Sequence, residues 1–253
     1  MKRERIAIAA LARPVLLSLL SLLLFQGIGE EEAAPAPSVK GRVELSNSRL
    51  KPRNGMLDAS GVVVWLEPLG GAPLPRTAAR QKRVIDQRNK RFSPHVVAVE
   101  SGSLIDFPNG DPFFHNVFSI YNGKKFDLGL YASGETRPVN FNRPGISYIF
   151  CNIHPQMSAV VVALDTPYFA VTDSGGGFEM PNVAPGRYRL NVWHERSLPE
   201  RLAALSRELQ ISPAGLDLGV IRVSEEGYVP RPHPNKHGQE YDIQANRPDY
   251  RKP

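Results

Sequence analysis

The only cysteine of the chain lies in a short segment that also holds a histidine and a methionine. Residues 151–157 read CNIHPQM, so the Cys151 thiol, the His154 imidazole and the Met157 thioether follow one another at C-x2-H-x2-M spacing. A second imidazole, His115, begins an apolar stretch further upstream. Sulfur donors favour Cu(I), imidazoles also suit Cu(II), and two histidines with a cysteine and a distant methionine make a blue-copper site. This set of residue types predicts one mononuclear copper that cycles between Cu(I) and Cu(II).

Other interpretations of these residues stay open. A single free cysteine is usually a small buried residue, and a methionine often fills a gap in a core. Zinc also binds cysteine and histidine, although methionine is a poor ligand for it. His233 and His237, four residues apart near the C-terminus, could bind Cu(II) loosely.

No nucleophile–base pair or paired-carboxylate signature is visible, and four protein ligands would leave copper no open position for a substrate. We therefore expect no enzymatic activity.

Composition and charge exclude several other classes of protein. The 253 residues are 42% hydrophobic and 22% charged, which is typical of a globular protein and not of a disordered chain or a multi-span membrane protein. One cysteine excludes an internal disulfide and a cysteine-only metal cluster. The formal net charge is +6, of which +3 belongs to residues 1–29. The remaining lysines and arginines are dispersed and indicate no nucleic-acid surface.

The N-terminus has the features of a secretory signal. A basic start at residues 2–5 precedes an apolar run over 15–25 and the small residues Gly27 and Gly29, at the −3 and −1 positions of a cleavage site. We therefore predict that residues 1–29 are a cleaved signal peptide and that residues 30–38 are a solvated leader. The mature protein would then be periplasmic or extracellular. An uncleaved membrane anchor is the alternative.

Short apolar segments, separated by glycine, asparagine and proline, dominate the rest of the sequence. This pattern is typical of β-sandwiches, and it restarts after Asp165. We predict an all-β chain with a first sandwich over 39–165, whose early strands come from 39–67, and a smaller second sandwich over 166–224. Residues 225–253 are polar and proline-rich without periodicity, which predicts a disordered tail. Several aromatic residues of the second sandwich alternate as core residues would: Tyr168, Phe169, Phe178, Tyr188 and Trp193.

The stretch from Phe92 to Met157 resembles the cupredoxins, the plastocyanin and amicyanin family, and its C-x2-H-x2-M spacing is amicyanin-like. The residues that carry the resemblance upstream of Cys151 are FSP at 92–94, Val97, Val99, Gly102, Ile105, Phe107, Asn109, Asp111 and HNV at 115–117. The resemblance implies a Greek-key β-sandwich in which His115, Cys151 and His154 are equatorial copper ligands and Met157 is the axial one. It also implies that Asn116 lies behind the ligands and ties the His115 segment to the ligand loop.

The whole chain is similar to proteins of the methylamine-utilisation-like type, which join such a copper module to a small carboxypeptidase-regulatory-like, or transthyretin-like, sandwich. The residues behind this similarity are VIDQ at 84–87, DTPYF at 165–169, TDSGGGF at 172–178 and PGRYRL at 185–190. The resemblance implies a blue copper protein that passes single electrons through the edge of His154 to a redox protein such as a c-type cytochrome or a dehydrogenase. Two alternatives stay open. The same ligands would suit a copper carrier, and the second sandwich would suit a carbohydrate or cell-surface binding module.

Overall fold

Short strands make up about half of the described chain and nearly all of its regular secondary structure, as the alternation of apolar residues predicts. The computed structural model describes residues 37–52, 55, 57–70, 74, 82–120, 123–230 and 232–241, and the predicted signal peptide lies outside them. The described strands and the one short helix are β1 (Val39–Ser46), β2 (Val63–Pro68), β3 (Arg83–Val84), β4 (Asp86–Gln87), β5 (Phe92–Ser93), β6 (Val96–Glu100), β7 (Ser103–Pro108), β8 (His115–Ser119), β9 (Phe126–Tyr131), β10 (Thr136–Phe141), β11 (Gly145–Phe150), β12 (Ser158–Leu164), β13 (Phe169–Val171), β14 (Gly177–Met180), β15 (Gly186–Trp193), α1 (Pro199–Ala203), β16 (Arg207–Ile211) and β17 (Leu216–Ser224). The predicted all-β fold class is confirmed. Within the described ranges, no helix has the length and apolar character that crossing a membrane requires.

A five-stranded sheet and a three-stranded sheet form the first sandwich. The five-stranded sheet has the order β6-β12-β11-β8-β9, and the three-stranded sheet has the order β10-β7-β3. Their shared core contains side chains from both sheets, among them Phe107, Phe141, Ile149 and Val161. Alternation explains this placement, because every second side chain of a strand points to the same face. The end of this core lies where β11 and β8 run side by side.

A four-stranded sheet and another three-stranded sheet form the second sandwich. The four-stranded sheet has the order β13-β2-β15-β16, and the three-stranded sheet has the order β14-β1-β17. Four of the five predicted core aromatics are buried in this part of the chain, while Phe169 is half-buried. Tyr168, Phe178 and Tyr188 belong to the core of the second sandwich, whereas Trp193 and Phe169 pack in a separate cluster. The apolar pattern therefore identified residues that are mostly buried, but not which face of the sheet each one occupies.

The first sandwich begins later than predicted. β1 pairs with β14 and β17, and β2 pairs with β13 and β15, so residues 39–68 contribute strands to the second sandwich. The prediction that residues 39–67 supply the early strands of the first sandwich is wrong. The first sandwich is instead built from strands between Arg83 and Leu164, inserted between β2 and β13. The physical reason is that alternation shows which face of a strand is buried but not which distant strand it pairs with.

Strand β12 is covered on both faces. Ala159, Val161 and Ala163 pack in the core of the first sandwich, whereas Val160 and Val162 pack with Trp193 of β15 in a separate cluster between the two sandwiches. Burial on both sides explains why β12 reads as a continuous apolar run and not as an alternating strand.

The predicted disordered tail is ordered as far as the structure describes it. Residues 225–230 and 232–241 are described, and Glu225 is buried, with its amide bonded to the carbonyl oxygen of Ser46. The prediction of disorder is wrong for these residues, because hydrogen bonds from the tail to distant loops replace the periodic pattern of a strand or helix. Residues 242–253 lie outside the described residues. At the other end, Pro37 and Ser38 accept backbone hydrogen bonds from the second sandwich, so the last part of the predicted leader belongs to the fold.

Candidate metal centre

The loop 151–157 connects two neighbouring antiparallel strands. β11 ends at Phe150, which pairs with Ser158 at the start of β12. Inside the loop, the amide of Cys151 donates to the carbonyl oxygen of Met157 at 3.3 Å. The amide of Met157 donates to the carbonyl oxygen of His154 at 2.9 Å. These bonds close the loop on itself, so all three predicted ligands of the segment are held by a tight turn on a rigid strand pair.

The fourth predicted ligand comes from the adjacent strand. His115 is the first residue of β8, which lies beside β11 through the Phe118–Phe150 pair. Its side chain is fully buried. The Cys151 Sγ atom lies 3.8 Å from His115 Nδ1 and 3.6 Å from His154 Nδ1, and the three donor atoms are all within 4.8 Å of one another. The structure therefore brings together three residues that are separated by up to 39 positions in the sequence.

These separations fit a single metal ion. An ion about 2.0 Å from an imidazole nitrogen and about 2.3 Å from a thiolate sulfur, with an angle near 120°, separates the two donors by about 3.7 Å. The two observed sulfur–nitrogen distances are 3.8 and 3.6 Å. Among the described residues, this is the one group of at least three histidine, cysteine, aspartate or glutamate side chains with such a geometry. The donor set of one sulfur and two ring nitrogens suits copper.

Met157 lies in the same core as Cys151. Its side chain is fully buried and belongs to the core of the first sandwich. It lies at the end of the closed loop, three residues after His154. Its role as the axial ligand stays a prediction.

Burial controls the protonation of the three donors. It lowers the pKa of His115, and it lowers the pKa of His154 to about 4, with the positive charges of His115 and Lys90 adding to the effect. Burial raises the pKa of the Cys151 thiol, opposed by backbone hydrogen bonds from Asn116, Ile153 and His154. At neutral pH the imidazoles are neutral and ready to bind a metal, whereas the thiol needs a nearby cation to lose its proton.

Asp111 fixes the orientation of the His115 ring. The His115 Nε2–H donates to Asp111 Oδ2 at 2.8 Å, which leaves the Nδ1 lone pair facing Cys151. Burial by itself would raise the pKa of the Asp111 carboxyl, but hydrogen bonds from the Lys90 amide, from His115 and from the Asn89 amide lower it. A carboxylate on the far nitrogen of a metal-binding histidine is a common arrangement in metal sites. Sequence reasoning gave Asp111 no role, although its D-x3-H spacing to His115 was a usable signal.

Asn116 links the two segments that carry the ligands. Its Oδ1 accepts the amide of Asn152 at 3.3 Å, and its Nδ2 donates to Asp127 at 2.7 Å. Its own backbone hydrogen bond reaches Cys151 and favours the thiolate. The role behind the copper ligands that the resemblance implies for Asn116 stays a prediction.

Aromatic rings cover the site on the side of His154. The Phe113 ring meets the edge of His115, with ring centroids 5.2 Å apart, and lies 5.6 Å from the His154 ring. The Lys90 ammonium lies 5.5 Å from the centre of the Phe113 ring. His154 is buried, with 8% of the residue exposed.

Of the four remaining described histidines, three have ring partners other than the donors of the metal centre, and the fourth, His237, is exposed. His95 bonds the carbonyl oxygen of Ser158 and the Glu195 carboxylate, and the buried His194 bonds Glu225. His233 stacks on Phe150, so it is packed and not a free tail ligand.

Comparisons with known proteins gave structural similarities alone. No family model matches the chain, and no curated protein matches it. Among solved structures, a purple cupredoxin from Nitrosopumilus maritimus matches with 21% identity and a TM-score of 0.30, covering 32% of this chain and 99% of that one. Amicyanin from Paracoccus versutus matches with 18% identity and a TM-score of 0.30, covering 39% of this chain and 97% of that one. A copper-containing nitrite reductase from Thermus scotoductus SA-01 matches with 19% identity and a TM-score of 0.32, covering 47% of this chain and 28% of that one.

Proposed function

We propose that the protein is a blue copper protein that transfers single electrons. The observation that carries this proposal is the convergence of one buried thiol sulfur and two buried imidazole nitrogens within 4.8 Å of one another, beside an apolar core that contains Cys151. His115, Cys151 and His154 would hold the metal in the trigonal plane, and Met157 would be the weak axial ligand. When bound, copper supplies a one-electron couple between Cu(I) and Cu(II).

The surrounding chain suits this task because it limits rearrangement. His115 is held by Asp111 and by the start of a buried strand, while the other ligands lie in a loop closed by its own backbone hydrogen bonds. A donor set that does not move between the two copper states makes electron transfer fast. Burial of the Cys151 sulfur and its backbone hydrogen bonds would tune the reduction potential.

We propose that the electron enters and leaves through the edge of His154. This edge lies beside the half-buried Phe113, which offers an apolar contact for another protein. The partner would be a redox protein such as a c-type cytochrome or a dehydrogenase, met in the periplasm or outside the cell. With four ligands from the chain, copper has no position for a substrate, so the proposed function is non-catalytic.

Optical titration tests the proposal. Purified apoprotein titrated with Cu(II) should develop an intense blue colour from thiolate-to-copper charge transfer at one equivalent. Cys151→Ser should abolish the colour, because serine has no sulfur to donate charge. Met157→Leu should keep the colour and shift the reduction potential. Met180→Leu is the matched control, since Met180 is equally buried but lies in the core of the second sandwich.

The outcomes separate the proposal from its main alternative. A protein that stays colourless with Cu(II), holds Cu(I) tightly and shows no reversible couple would be a copper carrier. A Cys151→Ser variant as blue as the wild type would exclude the proposed ligand set. Equal shifts of potential in Met157→Leu and Met180→Leu would remove the axial role of Met157.

A further inference from the structure

Residues 232–241, here named the C-terminal brace, lie against the ligand loop. The Tyr241 hydroxyl donates to the carbonyl oxygen of Cys151 at 2.9 Å. The His233 Nε2–H donates to the carbonyl oxygen of Pro155 at 2.9 Å. Two backbone carbonyls of the loop 151–157, one of them in a predicted ligand, are thus bonded to a segment about 80 to 90 positions away in sequence.

Ring contacts strengthen this attachment. The His233 imidazole is stacked on Phe150, the residue just before Cys151, with ring centroids 3.7 Å apart and planes at 21°. The Tyr241 ring meets the edge of His233 at 5.2 Å and 85°. The brace therefore fixes its two hydrogen-bonding side chains by packing them on the end of β11 and on each other.

Lys236 completes a cyclic hydrogen-bond network that includes the strand of His115 and the loop 151–157. Its amide donates to Asn152 Oδ1 at 2.9 Å, and its ammonium donates to Asp127 Oδ2 at 2.7 Å. Asp127 in turn accepts from Asn116 Nδ2, and Asn116 Oδ1 accepts from the Asn152 amide. Each of these four residues is hydrogen-bonded to the next, so the network joins the His115 strand, the ligand loop and the brace.

We infer that the C-terminal brace is a positioning element of the candidate metal centre, in which His233, Lys236 and Tyr241 hold the loop 151–157 in the geometry that binds and retains copper. The part of this inference that concerns copper rests on the proposed function. Inside the loop, two backbone bonds close it and the amides of Ile153 and His154 bond the Cys151 sulfur, so the bonds from the brace add an external attachment that restricts its opening. Release of a metal held by Cys151 and His154 requires the loop to open, and the brace opposes that motion.

The test compares His233→Ala and Tyr241→Phe with His237→Ala in the full chain. His237 lies on the same brace but is exposed, so the control makes the same type of change without touching the loop. Tyr241→Phe keeps the ring and removes only the hydroxyl that bonds Cys151. Two measurements apply to each variant: the hydrogen exchange rate of amides 151–157 in the apoprotein, and the rate at which excess EDTA removes Cu(II), followed by the charge-transfer band.

We expect the loop amides to exchange about fivefold faster in Tyr241→Phe, which is the effect of losing one hydrogen bond, and about tenfold faster in His233→Ala, which loses a bond and a ring stack. Copper release should accelerate by similar factors, and the charge-transfer band should shift because the Cys151 backbone moves. His237→Ala should match the wild type in every measurement. The melting temperature of the apoprotein shows whether a variant has lost its fold as a whole.

Two results would overturn the inference. Exchange rates of the loop amides that are equal in all four proteins would show that the brace does not hold the loop. Copper release and band positions that are unchanged while exchange accelerates would show that the brace holds the loop without positioning the ligands. A wild type without any charge-transfer band contradicts the proposed function instead, and in that case the exchange rates alone decide whether the brace holds the loop.

Discussion

Replacing Asp111 with asparagine tests how far copper affinity depends on a residue that is not a ligand. Asp111 is 4% exposed, and its carboxylate accepts three hydrogen bonds, from His115 Nε2 at 2.8 Å and from the amides of Asn89 and Lys90 at 2.6 and 2.9 Å. The asparagine has nearly the same shape but no charge. One of its two oxygen positions becomes an NH2 group, which cannot accept from the neighbouring donors.

The size of the effect follows from these contacts. A hydrogen bond to a charged group contributes about 1.5–3 kcal/mol, and a buried donor left without an acceptor costs about 1–3 kcal/mol. Loss of the carboxylate charge also makes the His115 Nδ1 less basic and weakens the hydrogen bond that orients its ring. For metal sites of this kind the loss in affinity is about 10–100-fold, equivalent to about 1.4–2.8 kcal/mol. We expect Asp111→Asn to weaken Cu(II) binding within this range and to destabilise the apoprotein by about 2 kcal/mol.

Competition with a chelator of known affinity measures the copper dissociation constant, and urea unfolding measures the stability of the apoprotein. Asp217→Asn is the control, since the Asp217 side chain is 62% exposed, forms a 3.9 Å ion pair with Lys40 and accepts from the Gly219 amide through one oxygen, which asparagine retains. The control should change neither quantity by more than about 0.5 kcal/mol. If Asp111→Asn binds copper as tightly as Asp217→Asn does, the Asp111–His115 contact does not orient the ligand, and the reasoning fails.

Two further predictions concern stability. The pKa values of His115 and His154 are lowered by burial, the latter to about 4, whereas unfolded histidine titrates near 6.5. The unfolded chain therefore binds more protons between about pH 4 and 6.5, so the apoprotein should lose up to about 3 kcal/mol of stability from His154 as the pH falls through this window. Urea unfolding should show a weaker pH dependence in His154→Gln, and an unchanged dependence would contradict the assignment. Separately, Gly176→Ala should destabilise the protein much more than Gly134→Ala. Both glycines have φ near +80°, but a Cβ at Gly176 would lie 2.0 Å from the Val43 carbonyl oxygen, whereas a Cβ at Gly134 would lie in open space. In either variant, an alanine in the left-handed backbone region costs about 1–2 kcal/mol. If thermal unfolding shows the same loss of stability for both variants, the close approach to Val43 is relieved at no cost.

The candidate site was largely predictable because metal chemistry selects residue types and local spacing. Cys151, His154 and Met157 lie within one loop, and their spacing alone indicated that they act together. Residue types suggested His115, 36 positions upstream of Cys151, as a further donor, the resemblance implied its place as an equatorial ligand, and the structure supplies its distance from Cys151. Asp111 was named in the resemblance but had no role until its hydrogen bond to His115 was seen.

Local patterns in the sequence determined that the chain is all-β, which faces of most strands are buried, and which side chains offer metal donors. The tertiary structure decided which strands pair, and it assigned β1 and β2 to the second sandwich, with the first sandwich inserted between β2 and β13. It also decided that the proline-rich segment 232–241 is ordered, against a loop about 80 to 90 positions away. The reason is physical. Burial and donor chemistry are properties of individual side chains and their immediate spacing, whereas strand partners and packed tails depend on contacts between distant segments that form only when the chain has folded.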